Sequence, residues 1–330
     1  MEDKCDFVVD GNIFYEGRIV KACVGITDGK IHAIKKIIKG EKYKDFGYRL
    51  IIPAGIDAHV HFREPGLVKK EDFYNGSLCA ALGGISCILD MPNTKPPVVT
   101  VGDLEDKISI AKRRSHVDFG FFAFATNSMS TASIESLSKF AIGFKIFMAG
   151  ASEEFVVKEE TELQRIIGTI AKTRKIISVH AEDDDIIEER KKEIASKGYR
   201  GLEDHNRIRN EDAEVSAIKK ILKVKSTGRI HFAHVSSRKT VELLRNIKEK
   251  EPSVLSNISS EVTPHHLFLT EKFSMPSRPS KPGFGKVNPP LRKPEDRVAL
   301  YDALLDGTVD IVASDHAPHT IEEKEDDFER

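Results

Sequence analysis

Two histidines separated by one residue, His59-Val60-His61, close an apolar run, and side chains two apart on an extended chain point the same way. Both imidazoles can therefore reach one metal ion. Further polar residues interrupt other apolar runs: Lys145 in GFKIFM, His180 in SVHAE, His234 in FAHVS and Asp315 in SDHAPH. A buried ammonium is costly unless paired, so Lys145 has to be compensated, neutralised or modified. Singly, each histidine is more often a satisfied core residue and the lysine a snorkelling or ion-paired one. Their joint placement points to a metal site, because histidine and carboxylate donors suit zinc or another divalent first-row ion. Five natural donors and a lysine exceed the needs of one tetrahedral ion, so two ions are expected.

Positioning these groups requires a scaffold that brings distant segments to one mouth. Eight buried strand-like runs occur at about 50–60, 85–91, 117–124, 141–148, 175–181, 229–235, 258–264 and 309–315, and the six residues above lie at or just beyond the ends of their runs. Helix-like segments fall between them at 71–83, 103–114, 132–139, 159–173, 212–224 and 238–250. This alternation predicts an α/β fold, a (β/α)8 TIM-type barrel, whose loops converge at the C-terminal ends of the strands. An open doubly wound sheet is the competitor, but no GxGxxG follows the first run. Residues 6–36 read instead as short strands with Asp10-Gly11 and Asp28-Gly29 as turns, part of a small β domain over 1–49 preceding the barrel at 50–330.

The chain has 330 residues, of which 40% are hydrophobic and 31% charged, enough to bury a core and too apolar for disorder. With 51 Lys+Arg against 52 Asp+Glu, it lacks the basic excess of a nucleic-acid or anionic-membrane binder. No apolar run reaches the roughly 20 residues of a membrane span and no signal-peptide pattern opens the chain, so a cytoplasmic protein is expected. Cys5, Cys23, Cys79 and Cys87 form no CxxC and read as reduced core thiols. The charged stretch 183–212 reads as a solvated helix and loop, and the proline-rich stretch 271–290 as a long mobile loop.

The segments GIDAHVHFREPG (55–66), MPNT (91–94), GFKIFMAG (143–150), VHAED (179–183), FAHVSS (232–237), EVTPHHLFLT (261–270), VNPPLR (287–292) and SDHAPH (314–319) together resemble, in order, the amidohydrolase superfamily. Within it they most resemble dihydroorotases of the long type, which cyclise N-carbamoyl-L-aspartate reversibly to (S)-dihydroorotate in de novo pyrimidine synthesis. The resemblance implies a hydrolase of cyclic amide C–N bonds with two divalent ions, Zn2+ foremost. His59, His61 and Asp315 would bind the more buried ion, His180 and His234 the second, and a carbamylated Lys145 would bridge them. A hydroxide between the ions would attack the ring amide, with Asp315 as general base and acid.

It further implies that Arg63, Asn93 and His319 hold the substrate carboxylate, while His61 and Asn288 also touch substrate. The ordinary alternative for Arg63 is a surface ion pair with Glu64. The neighbouring activities are allantoinase, which usually has Asn in place of Arg63 and MPLN in place of MPNT, and dihydropyrimidinase or hydantoinase, which lacks the HFREPG clamp. A reading of another class is a non-catalytic scaffold of a pyrimidine-pathway complex, against which all six ligand positions are filled. Expected partners are the small-molecule substrate, with a homo-oligomer or a transcarbamoylase complex as further possibilities. The tail after 316 has only Ile321 and Phe328 as large apolar residues. The expectation is therefore a C-terminally shortened chain without the last barrel helix and with an incomplete β-sandwich part.

Overall fold

The computed structural model describes residues 4–196, 198, 201–224, 227–250, 257–273, 277 and 281–325, which divide after Gly55 into two compact units. The first holds strands β1 (Cys5–Tyr15), β2 (Arg18–Thr27), β3 (Lys30–Lys35) and β4 (Gly40–Ile51) in one sheet of order β3-β2-β1-β4. This single sheet stands where the incomplete sandwich part is expected. Its hairpins turn at Glu16-Gly17 and Asp28-Gly29, all four residues at positive φ. Asp10-Gly11 is not a turn: it lies inside β1 at a register shift against β4, where a Cβ on Gly11 would come within 2.6 Å of the Ile51 side chain. Strand β4, parallel to β1, was not anticipated over 40–49, because its side chains are largely exposed and polar and leave no apolar run to detect.

The second unit contains strands β5 (Gly55–Val60), β6 (Ile85–Asp90), β7 (Asp118–Phe124), β8 (Gly143–Phe147), β9 (Ile176–His180), β10 (Arg229–Phe232), β11 (Ile258–Val262) and β12 (Ile311–Val312). They form one eight-stranded sheet in chain order, matching the eight expected runs. The first run is shorter than expected, since β5 begins at Gly55 and residues 50 and 51 belong to β4. Val60 bridges in parallel to His316, and the His61 N–H donates to the His316 carbonyl at 2.7 Å, drawing the two ends of the sheet together as a barrel. Asp57 Oδ1 reinforces this join by accepting from the backbone N–H groups of His59, at 3.3 Å, and Ser314, at 3.0 Å.

Helices α1 (Phe73–Leu82), α2 (Val101–Arg114), α3 (Thr131–Leu137), α4 (Glu160–Lys172), α5 (Asp184–Ala195), α6 (Leu202–Ile208), α7 (Glu211–Lys223), α8 (Arg238–Lys250), α9 (Pro264–Phe268), α10 (Pro294–Leu305) and α11 (Ile321–Glu325) intervene or follow. Their faces follow helical periodicity: Leu163, Ile166, Ile167 and Ile170 of α4 are all buried. Start signals are equally local, such as the reciprocal Thr100–Asp103 box of α2. Strand β8 is buried at all five positions, Lys145 included.

Three expectations change. Cys79 is exposed and Cys87 only partly buried, so only Cys5 and Cys23 are core thiols, although all four are free. The stretch 183–212 is not wholly solvated: Asp183, Asp204, His205 and Arg209 are buried. Of the stretch 271–290, residues 274–276 and 278–280 lie outside the described residues, as does Phe328, while 282–285 form a 3-10 turn.

Beneath the first two barrel loops lies a fully buried ion pair, with Lys107 Nζ 2.8 Å from Asp90 Oδ2. Asp90 Oδ1 also accepts the Phe62 N–H at 2.8 Å, and Lys107 donates to the Met91 carbonyl at 2.8 Å. The pair thus ties the segment carrying His61 and Arg63 to the one carrying Asn93. Lys107→Met would strand a buried carboxylate and should destabilise the protein by about 3–5 kcal/mol in urea unfolding. Adding Asp90→Leu should return part of that loss.

Candidate metal centre and active site

The ends of β5, β8, β9, β10 and β12 carry the six residues singled out for metal binding, and the structure brings them to one place. A cleft of about 550 Å3 is lined by His61, Lys145, His180, His234 and Asp315 and by Arg63, Asn93, Asn288 and His319. His59 is completely buried beside this cleft, its ring centroid 5.1 Å from that of His61 and 5.5 Å from that of His234. Among the described residues, His59, His61 and Asp315 form a group whose candidate ligand atoms lie within 4.8 Å of one another.

Hydrogen bonds on the far side of each ring decide which nitrogen faces inward. Glu261 Oε1 holds Nδ1 of His59, and Asn93 Oδ1 holds Nδ1 of His61 at 2.6 Å. The two Nε2 atoms, 3.1 Å apart, therefore face each other, and Asp315 Oδ1 is 3.4 Å from that of His59 and 3.0 Å from that of His61. In His180 the order is reversed, with Nε2 held by Glu182 Oε2 at 2.7 Å and Nδ1 3.0 Å from His234 Nε2. Among the described residues, His234 Nδ1 is buried with no hydrogen-bond partner. Facing ring nitrogens and an orphaned buried nitrogen are donors that suit cations, so the residues present fit a metal centre.

Burial and charge set the protonation states. Burial lowers the pKa of His61 to about 4 and also depresses His180 and His234, so these rings are neutral at pH 7. Burial lowers Lys145 to about 8, although Glu261 and Asp315 oppose the shift. Its amine donates only a long 3.5 Å bond to Ser178 Oγ. Burial pushes Asp315 upward, but His59, His61 and Lys145 outweigh it and hold this carboxyl well below the usual range. Two of the candidate positions also have left-handed backbone, His234 with φ 36 and Asp315 with φ 48, a conformation that costs non-glycine residues energy and concentrates at functional sites.

Arg63 does not pair with Glu64. Glu64 instead bonds Arg114 Nη1 at 2.9 Å and the Phe73 N–H at 2.9 Å. Arg63, 6% exposed, donates to the Pro318 carbonyl at 3.0 Å and lies 3.4 Å from His319 Nε2. His319 Nδ1 lies 3.3 Å from Lys70 Nζ and 3.1 Å from Glu323 Oε2, so the His319 ring is held from behind. Gly66 closes the same loop: at φ 83 its Cβ would sit 2.0 Å from the Lys95 carbonyl oxygen.

Sequence reading missed Glu261, Glu182, Asp57 and Arg209. The first two lie inside the quoted segments EVTPHHLFLT and VHAED, where a carboxylate in an otherwise buried run is a signal of its own. Arg209 sits in the charged stretch and carries no such mark. The loop 287–292 is held by two further buried histidines, His205 Nε2 to the Val287 carbonyl at 3.0 Å and His266 Nε2 to the Pro289 carbonyl at 3.1 Å.

A parallel barrel with these donors at the ends of its strands defines a metal-dependent hydrolase of the amidohydrolase class, and the amidohydrolase family pattern matches residues 50–324. The chain belongs to the amidohydrolase family. A protein of Methanosarcina acetivorans named dihydroorotase is 38% identical over 96% of this chain and 68% of its own length. Another of that name, from Halobacterium salinarum, is 33% identical over 97% of this chain and 72% of its own. Among solved structures, an L-hydantoinase from Arthrobacter aurescens superposes with a TM-score of 0.88 at 28% identity, over 97% of this chain and 71% of that one.

The histidines that hold the loop make a pH prediction. Burial lowers the pKa of His205 to about 4 and of His266 to about 3, from an ordinary value of 6.5. Below pH 6.5 the unfolded chain therefore takes up protons that the folded chain refuses. Stability of the metal-free protein should fall as pH drops from 6.5 towards 4, each histidine contributing about 1.4 kcal/mol per pH unit. Urea midpoints between pH 7.5 and 4 will show this slope, and His266→Gln should reduce it.

Proposed function

We propose that this amidohydrolase is a dihydroorotase, interconverting N-carbamoyl-L-aspartate and (S)-dihydroorotate in pyrimidine synthesis. The observation that carries the reading is Arg63, a buried guanidinium beside His319 in the same cleft as the candidate metal ligands. Dihydroorotate differs from the neutral cyclic ureides in its carboxylate, and a planar bidentate donor is what that group requires. Asn93 and His319 would supply further polar contacts, and Asn288, which also lines the cleft, would meet the ring. Asn93 would serve twice, since its Oδ1 also fixes His61. Relatives at 33–38% identity named dihydroorotase support this choice. The hydantoinase-like superposition favours the second reading, a cyclic ureide hydrolase, which leaves Arg63 without a task.

His59 and His61, through Nε2, together with Asp315 would hold one divalent ion; His180, through Nδ1, and His234 would hold the second, zinc being the choice that these donors fit best. Two such ions act as Lewis acids on a carbonyl oxygen and make water acidic enough to attack near neutral pH. Lys145 would bridge them as a carbamate. Its free amine, made accessible by the lowered pKa, adds to the carbon of CO2, a nitrogen–carbon bond forms and a proton leaves to solvent. The burial problem of the ammonium is thereby removed, because the side chain becomes an anion among cations.

Asp315 is the proton carrier. Ionised and facing the cleft, it takes a proton from the attacking water and returns it to the departing ring nitrogen, and in ring closure the proton travels the other way. Among the described residues no helix is long and apolar enough to cross a membrane. We place the reaction in the cytoplasm, acting on small molecules.

Side-by-side assays of carbamoyl-aspartate, dihydrouracil and allantoin on metal-loaded protein should show carbamoyl-aspartate handled fastest. Arg63→Ala should abolish that activity while metal content stays unchanged; full activity in this variant would sink the clamp. Intact-mass analysis of the native, metal-loaded protein should show one added CO2 that maps to Lys145. A bare amine there would refute the carbamate.

A further inference from the structure

Between β9 and α7 the chain makes the detour that the sequence presented as a charged, solvated stretch. It carries helices α5 and α6 and ends at Arg209, which is 8% exposed. The guanidinium of Arg209 reaches Glu182 Oε2, the same oxygen that lies 2.7 Å from His180 Nε2. Glu182 is wholly buried. Space for this arrangement comes from Gly150 at φ 79, where a Cβ would lie 3.2 Å from Arg209 Nη2 and 3.5 Å from His180 Nε2.

From its other side the same segment grips the loop of the substrate cleft. The Arg209 carbonyl accepts from Arg292 Nη1 at 2.6 Å, Asn206 Nδ2 donates to the Leu291 carbonyl at 3.4 Å, and His205 donates to Val287. We propose that Glu182 and Arg209 are a positioning pair that fixes the His180 ring with Nδ1 turned towards His234, and that residues 202–209 thereby couple this ligand to the 287–292 loop. The inference rests on the reading of His180 as a metal ligand.

The physical logic is that a carboxylate accepting the Nε2–H of a neutral imidazole leaves the lone pair on Nδ1, which sets the ligand atom. A wholly buried carboxylate can do this only beside a counter-charge, and Arg209 supplies it. Without Arg209, the unpaired carboxylate is driven to withdraw from His180 or to abandon the buried position. His59, His61 and Asp315 share no hydrogen bond with the pair, so the two subsites should respond differently.

The test is the metal stoichiometry and affinity of the full chain, measured by competition with a chromophoric zinc chelator, for the wild type, Arg209→Met, Arg209→Lys and Glu182→Gln. Arg209→Met should keep its first zinc equivalent at wild-type affinity and bind the second 10–100-fold more weakly. Arg209→Lys, which retains the charge but not the fork, should fall between. Equal weakening of both equivalents, or no weakening, would overturn the proposal, as would a wild-type chain that takes only one zinc. Melting of the metal-free proteins gives the structural control, and should Arg209→Met not fold, Arg209→Lys and Glu182→Gln decide by the same criterion. Because the readout needs no substrate, a wild type inactive on carbamoyl-aspartate would remove the proposed reaction while leaving this pair to stand or fall on zinc alone.

Discussion

Burying four imidazoles, an amine and a carboxylate side by side is the constraint on which this structure turns. Water would solvate all of them, and the barrel mouth withholds it. Each group is therefore answered by another. Glu261 and Asn93 hold the outer nitrogens of His59 and His61, Glu182 that of His180, and Asp315 faces the pair of Nε2 atoms. Among the described residues, His234 Nδ1 has no hydrogen-bond partner and the Lys145 amine only a long one.

Such a cluster tolerates little misplacement, and the segments that carry it are cross-linked. The His59 segment is joined to the Asp315 segment by Asp57 and by the Val60–His316 bridge, so candidate metal-binding residues from opposite ends of the sheet are tied by backbone. The Lys107–Asp90 pair performs the same service for the loops carrying His61, Arg63 and Asn93. Glu261 reaches both halves of the cluster: it holds the His59 ring, accepts the His234 backbone N–H at 3.2 Å, and receives a second imidazole, His231, at 2.8 Å. Strand β11 supplies no candidate ligand, yet its carboxylate organises two of them.

The architecture was legible where local physics and tertiary structure agree. Strands such as β8, buried at all five positions, coincide with apolar runs, since a parallel strand covered on both faces is largely apolar. The amphipathic helices announce themselves by the spacing of residues such as Leu163, Ile166, Ile167 and Ile170. Where the surroundings override local preference, reading failed. Asp10-Gly11 has turn chemistry but serves a bulge, β4 is polar because its side chains are largely exposed, and Cys79 is small and apolar yet lies outside the core. Arg209 was hidden for the opposite reason: charge in a charged stretch reads as solvated, and only its contact with Glu182 marks it as buried.

By itself, the sequence determined the inventory of the site and its order along the chain. Donor types are covalent facts, and the ends of apolar runs tell which loop each occupies. His59, His61, Lys145, His180, His234 and Asp315 needed nothing more to be singled out, nor did Arg63 once its motif was recognised. The tertiary structure alone decided which nitrogen each ring presents, because that choice is made by a hydrogen bond to a residue far away in the chain; His59 and its partner Glu261 are 202 positions apart. It also decided that Arg209, in the charged stretch, meets the buried Glu182. A side chain's charge is written in the sequence, but whether water or another side chain answers it depends on which segments meet.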